Sequence, residues 1–174
     1  MKKKIMIISV ILLAVMAILA ATVFTLPRSD IRSDQVLFYS YSYNSAWSKH
    51  SNGIFIMGNG DVYTYERDSI LIPPASASAL EDFVKRECLK TGHVSRRALY
   101  ALYDRAEELR HEGTLTDYTI GYGADDMGYS LSYFVSPVSG PVMFREIGDT
   151  VTNTDNEELK DMWSRWNRLI RMMK

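Results

Sequence analysis

Cysteine, proline and glycine are all scarce in this chain: one, five and ten among 174 residues. A single cysteine cannot close an internal disulfide, so stability has to come from a packed core. So little proline and glycine, with 47% hydrophobic residues, excludes collagen-like, low-complexity and disordered architectures. Metal and nucleotide signatures are missing as well. The histidines, His50, His93 and His111, fall in no H-E-x-x-H or His-x-His arrangement, and there is no Cys-x-x-Cys, which leaves zinc without ligands at a recognisable spacing. Gly-x-Ser-x-Gly is absent too. No cofactor and no metal are expected, and no residue carries a specific catalytic signature. No period of 20 to 50 residues repeats, which excludes a solenoid.

Neither sign of charge dominates, with 20 basic against 21 acidic side chains. Lys2, Lys3 and Lys4 sit at the extreme amino terminus, so from Pro27 onward the balance is 17 basic to 21 acidic, about four net negative charges. That sign argues against nucleic acid as the main partner.

Long apolar runs are absent except for one. Ile5 to Leu26 is 22 residues without a charge or a proline, and at 1.5 Å per residue a helix of that length reaches about 33 Å, enough to cross a hydrocarbon core of roughly 30 Å. Three lysines precede it, whereas Arg28 and Arg32 behind it are balanced by Asp30 and Asp34. The positive-inside bias then puts the amino terminus in the cytoplasm and the rest of the chain outside. The expectation is a signal anchor over residues 1–26, a short linker over 27–34 and one extracytoplasmic domain over 35–174. The alternative is a cleaved signal peptide and a secreted domain. Its cleavage site would be poor, with Ala20 and Thr22 at the two key positions. In an oxidising compartment Cys88 either stays a free thiol or pairs with another chain. Its place on the apolar face of a helix, four residues after Val84, favours the buried thiol.

The exported part reads as α+β: a mainly antiparallel sheet of about five to seven strands, covered by about three helices on one face. Val36 to Tyr43 alternates Phe38, Ser40 and Ser42 against Tyr39, Tyr41 and Tyr43. Ile54–Met57 and Val62–Glu66 flank Gly58-Asn59-Gly60-Asp61, in which Asn59-Gly60 predicts a type I′ hairpin turn. Ile70-Leu71-Ile72 reads as a short strand before Pro73-Pro74. Two helices follow. The first is capped by a Ser78/Glu81 box and closed by Gly92; the second is capped by Ser95 and ends by Gly113. Strands return at Tyr118–Ile120, Tyr129–Val135 and Val142–Ile147, and a last helix starts from a Thr154/Glu157 box.

Three groups of residues are candidates for function. Tyr39, Tyr41 and Tyr43 share one strand face and Tyr63 and Tyr65 another. If the two faces coincide, they form either a platform for sugar rings or peptide side chains, or cross-strand pairs packed under the helices. Asp125 and Asp126 lie within Gly121-Tyr122-Gly123-Ala124-Asp125-Asp126-Met127-Gly128. This is a loop able to hold a cation or a substrate hydroxyl, but it lacks the D-x-D-x-D-G spacing of a calcium loop, and the composition favours a solvated turn, with glycines for positive φ and aspartates for turn hydrogen bonds. In the last helix Trp163 and Trp166 lie in an apolar stripe while Arg165, Arg168 and Arg171 supply cations. The stripe docks on the sheet, or the helix meets a partner or a lipid surface.

The composite expectation is a non-catalytic, single-pass membrane-anchored binding or interaction module outside the cytoplasm, engaging a protein, peptide or glycan. One alternative is a small hydrolase using Asp125 and Asp126 with a nearby histidine. Another is an accessory subunit of a membrane complex docked by its last helix.

Overall fold

The computed structural model describes residues 30–44, 49–117, 128–148 and 156–173. The chain divides into a leading unit, Met1–Ile31, and a compact unit, Arg32–Lys174. The apolar run over 5–26 lies outside the described residues, among which no helix is long and apolar enough to cross a membrane.

The compact unit is α+β. Seven strands, β1 Val36–Asn44, β2 His50–Met57, β3 Asp61–Arg67, β4 Leu89–His93, β5 Leu115–Asp117, β6 Tyr129–Ser136 and β7 Gly140–Ile147, form one sheet in the order β4-β3-β2-β1-β6-β7-β5. Every neighbouring pair is antiparallel except β5 with β7, so the sheet is mixed. Three helices are described: α1 Ala77–Glu87, α2 Arg96–Glu108 and α3 Glu157–Arg171.

The helices cover both faces of the sheet, not one. Phe38 and Tyr39 are consecutive on the central strand β1 and therefore point to opposite sides, yet they are 0% and 3% exposed. Tyr39 packs in a cluster with Phe55, Tyr65 and the α1 residues Leu80, Phe83 and Val84. Phe38 meets Tyr103 of α2 and Trp166 of α3 with ring centroids 6.0 and 5.5 Å apart. A strand with bulky apolar side chains on both sides needs a layer on each, and the chain supplies α1 to one and the α2–α3 pair to the other.

Local signals differ from expectation in several places. The β2–β3 turn is not type I′, because Gly58 and Asn59 both keep negative φ and only Gly60 is left-handed, at +89°. Gly60 N–H closes the turn on the Met57 carbonyl at 2.8 Å, giving a three-residue loop that ends in a left-handed glycine. Carbonyls of Ser33 and Gln35 accept from Asn59 and Gly58, so the approach to β1 selects this geometry. Residues 70–72 form no strand. Their backbone is held by side chains: Ser51 Oγ donates to Ser69 O and accepts from Leu71 N–H, while Tyr65 Oη donates to Leu71 O. The first helix is capped by Ser76 rather than Ser78 and stops at Cys88. Gly92 does not close it but lies in the edge strand β4, whose small and polar residues hid its strand character. Ser95 is at the N-cap of α2 without a side-chain hydrogen bond. Asn156 caps α3 by accepting from Glu158 and Leu159 N–H; Thr154, like Tyr118–Ile120, lies outside the described residues.

Candidate binding surfaces of the sheet

Register decides which of the candidate tyrosines meet. Tyr39 pairs with Phe55 and Tyr133, Phe55 with Tyr63, Tyr41 with Gly53, Gly53 with Tyr65, and Tyr43 with Tyr129. Tyr39, Tyr41, Tyr43, Tyr63 and Tyr65 therefore all lie on the α1 side, and β6 adds Tyr129 and Tyr133, which their position in a strand of alternating pattern could have indicated. Tyr39 and Tyr65 are buried while Tyr41, Tyr43 and Tyr63 are half-buried.

The rings use their faces on one another. Tyr133, Tyr39 and Phe55 form a row of parallel rings across three strands, with centroids 4.7 and 5.7 Å apart and planes within 6°. Tyr43 and Tyr129 form a second stacked pair at 5.0 Å. A ring sandwiched between parallel neighbours offers a ligand its edge and hydroxyl rather than its π-face. Burial pushes the Tyr39, Tyr41, Tyr65 and Tyr133 phenols above the ordinary value, with neighbouring hydroxyls adding to the shift at Tyr39 and Tyr41. These groups stay protonated at any physiological pH.

The opposite face is different. Beyond the α2–α3 layer lie two cross-strand rows: Ser40, Ile54, Thr64 and Leu89, with the buried Ser132 at one end, then Ser130, Ser42, Asn52 and Glu66. All of them but Ser132 line a shallow concavity of about 540 Å³ that also reaches Tyr41, Gly53, Tyr65, Arg67, Glu87 and Thr91. Exposed sheet faces normally favour β-branched and aromatic side chains, and serine, asparagine and glycine are poor choices there. Here short side chains on the central strands create room close to the backbone. Ser40 Oγ is shared with Ser132 Oγ and Leu131 O. Ser42 Oγ donates to Asn52 Oδ1 at 2.9 Å, which fixes the amide and turns its Nδ2 hydrogens away from that bond. The Phe38, Ser40, Ser42 alternation was readable in the sequence. That two further strands would bring small polar residues beside it was not.

The histidines are apart from one another. His50 lies 3.6 and 3.5 Å from the exposed Glu66 and Asp68 carboxylates, and His111 accepts from Arg110 Nε. His93 Nδ1 is 3.2 Å from Asp61, which Lys90 also meets at 2.8 Å. Burial raises the Asp61 pKa, but hydrogen bonds from Lys90, His93 and Asn59 outweigh it and hold the carboxylate below its usual range. This cluster ties edge strand β4 to the β2–β3 turn. Among the described residues no group of three His, Cys, Asp or Glu side chains is placed to hold a metal ion. Asp125 and Asp126 lie outside the described residues. Cys88 is half-buried, and burial, then the nearby Glu87, pushes its thiol up to about 12.

In α3 the stripe faces inward. Leu159, Met162, Trp166 and Leu169 are buried, and Trp166 lies against Phe38 and Phe144. Trp163 is half-buried beneath the Arg145 guanidinium, 3.9 Å from its ring centroid. Arg165 pairs with Asp161 at 2.7 Å, while Arg168 and Arg171 are exposed.

No protein-family model, no curated protein and no solved structure matches this chain.

Proposed function

We propose that the chain is a non-catalytic binding module, anchored in a membrane by residues 5–26 and carrying its domain outside the cytoplasm, whose ligand rests on the open sheet face opposite α1. The observation that carries the binding reading is the concavity of about 540 Å³ on the central strands, a size in the range of small-ligand sites. Its floor is neutral: hydroxyls of Ser42, Ser130 and Thr64, the Asn52 amide and two aliphatic side chains, Ile54 and Leu89. Glu66 and Glu87 at the rim disfavour anionic ligands, and Arg67 is tied to Glu87. A neutral molecule with many hydroxyls and apolar C–H faces, a saccharide above all, complements that lining. Among the described residues an extended peptide would meet no deep apolar pocket on this shallow surface.

The anchor reading rests on the uncharged 22-residue run and the three lysines before it. Its test is protease protection on intact cells expressing the full chain. Digestion of a membrane-bound, full-length species from outside is expected; a soluble species beginning after residue 20 would replace the anchor with secretion. For binding, the full chain in neutral detergent is screened against neutral oligosaccharides, with Asn52→Leu and Ser42→Leu filling the concavity. Both substitutions should abolish binding while the circular dichroism stays native. Loss through Tyr43→Ala with Asn52→Leu silent would move the site to the tyrosine face.

A further inference from the structure

The charges of α2 run against its own dipole. A helix favours acidic side chains in its first turn and basic ones in its last, and α3 obeys, with Glu157 and Glu158 first and Arg168 and Arg171 last. In α2 the order is reversed. Arg96 and Arg97 open it, its first turn has no acidic residue, and Asp104, Glu107 and Glu108 crowd its end.

The two helices are antiparallel neighbours. Arg105 near the end of α2 pairs with Glu158 in the first turn of α3 at 3.2 Å, whereas Ala98 at the start of α2 and Met172 just past α3 line one small groove. Reversal in α2 thus brings like charges together. Arg97, Arg165, Arg168 and Arg171 gather at one end of the paired surface, and Asp104, Glu108, Glu157, Glu158 and Asp161 at the other, all of them exposed. At the acidic end Arg105 serves Glu108 and Glu158 together, and the hydrogen bond to Glu108 and the surrounding carboxylates raise its pKa. At the basic end Arg168 and Arg171 make no ion pair among the described residues.

Within one chain this arrangement runs against the α2 dipole, and the ion pairs of Arg105 with Glu108 and Glu158, of Lys160 with Glu157 and of Arg165 with Asp161 offset only part of the negative charge at the acidic end. Such a local conflict marks a surface with a task beyond folding. A surface that is positive at one end and negative at the other is complementary to its own copy turned around a two-fold axis. We infer that the exposed face of the α2–α3 pair is a homodimer interface, with the basic end of each copy on the acidic end of the other. At the basic end Ala98 and Ala101 present no bulk beside Arg165 and Arg168, so the second helix pair can approach closely there, and Met172, 53% exposed, is available for burial. A lipid surface is the weaker occupant, because the apolar stripe it would bury is already packed on the sheet.

The test is the mass of the full chain in neutral detergent, by sedimentation at low and high salt. A dimer that dissociates as salt rises is expected. Arg97→Glu with Arg168→Glu reverses the basic end, and Asp104→Arg with Glu108→Arg reverses the acidic end. The α2 changes follow its dipole, so the fold should survive, as circular dichroism will report. Each double variant should weaken self-association at least roughly tenfold, and an equimolar mixture of the two should regain the dimer mass. A monomeric parent chain, or a dimer that neither reversal weakens, would overturn the inference. So would a dimer lost with Cys88→Ser or found only in variants that retain residues 5–26, since association would then lie elsewhere.

Discussion

Gly53 sits where a side chain would collide with its neighbour: a Cβ added there would overlap Tyr65 Cε1 and approach Ser40 O to 3.2 Å. Tyr65 cannot swing clear, since its ring packs on Phe55 and Phe83 and its hydroxyl is held by Leu71 O. Gly53→Val should therefore destabilise the domain by about 1–3 kcal/mol, read as a lower urea midpoint at unchanged slope. The phenols give a second residue-scale expectation. Tyr39, Tyr41 and Tyr65 are held above the usual phenol range in the folded state, and the unfolded chain would release those protons near pH 10. The unfolded state then binds fewer protons than the native one, so stability is full below about pH 10 and falls as pH rises beyond it. Tyrosinate absorbance and loss of circular dichroism should appear together; phenols ionising well before the fold is lost would contradict this. Cys88, raised to about 12, begins the same decline from its unfolded value near 8.5. It should resist alkylation at neutral pH until the chain is unfolded.

At the scale of elements, caps and registers show what short-range patterns can and cannot reveal. Asn156 satisfies two N–H groups at the start of α3, so Asn156→Ala should cost about 1 kcal/mol, a fall in melting temperature of about 2–4 °C. Periodicity located α2 and α3, whose apolar faces recur every three or four residues. It did not locate β4, where Leu89, Lys90, Thr91, Gly92 and His93 show no alternation, because an edge strand pairs on one side only and is little buried. Nor did it set the β2–β3 turn. Asn59-Gly60 signals a hairpin, but hydrogen bonds donated by Gly58 and Asn59 N–H to the carbonyls of Gln35 and Ser33, distant in sequence from the turn, chose its backbone geometry.

For the whole molecule the last helix is the decisive element. Trp166 is 1% exposed and stands at the centre of the layer formed by Phe38, Phe144 and Leu159. Deleting residues 156–174 should unfold the domain, measured as collapse of protease resistance, rather than release a partner from a folded remainder. Trp166→Ala alone should cost about 3–5 kcal/mol. A truncated chain that stays resistant would mean that α3 is an appendage, and the homodimer surface would have to be reconsidered with it.

The features legible from the residues alone are local. The apolar run and its lysines, the α+β class, the positions of most strands and helices, and the shared face of Tyr39, Tyr41 and Tyr43 all follow from charge, length and a period of two or 3.6 residues. The tertiary structure alone decided that helices cover both faces, that Tyr129 and Tyr133 complete the stacked rows, that serines from β1 and β6 join Asn52 and Thr64 in one open concavity, and that α2 and α3 align like charges. Each of these depends on which distant strands pair and in what register, and a side chain's neighbours across a sheet are not encoded in its own period.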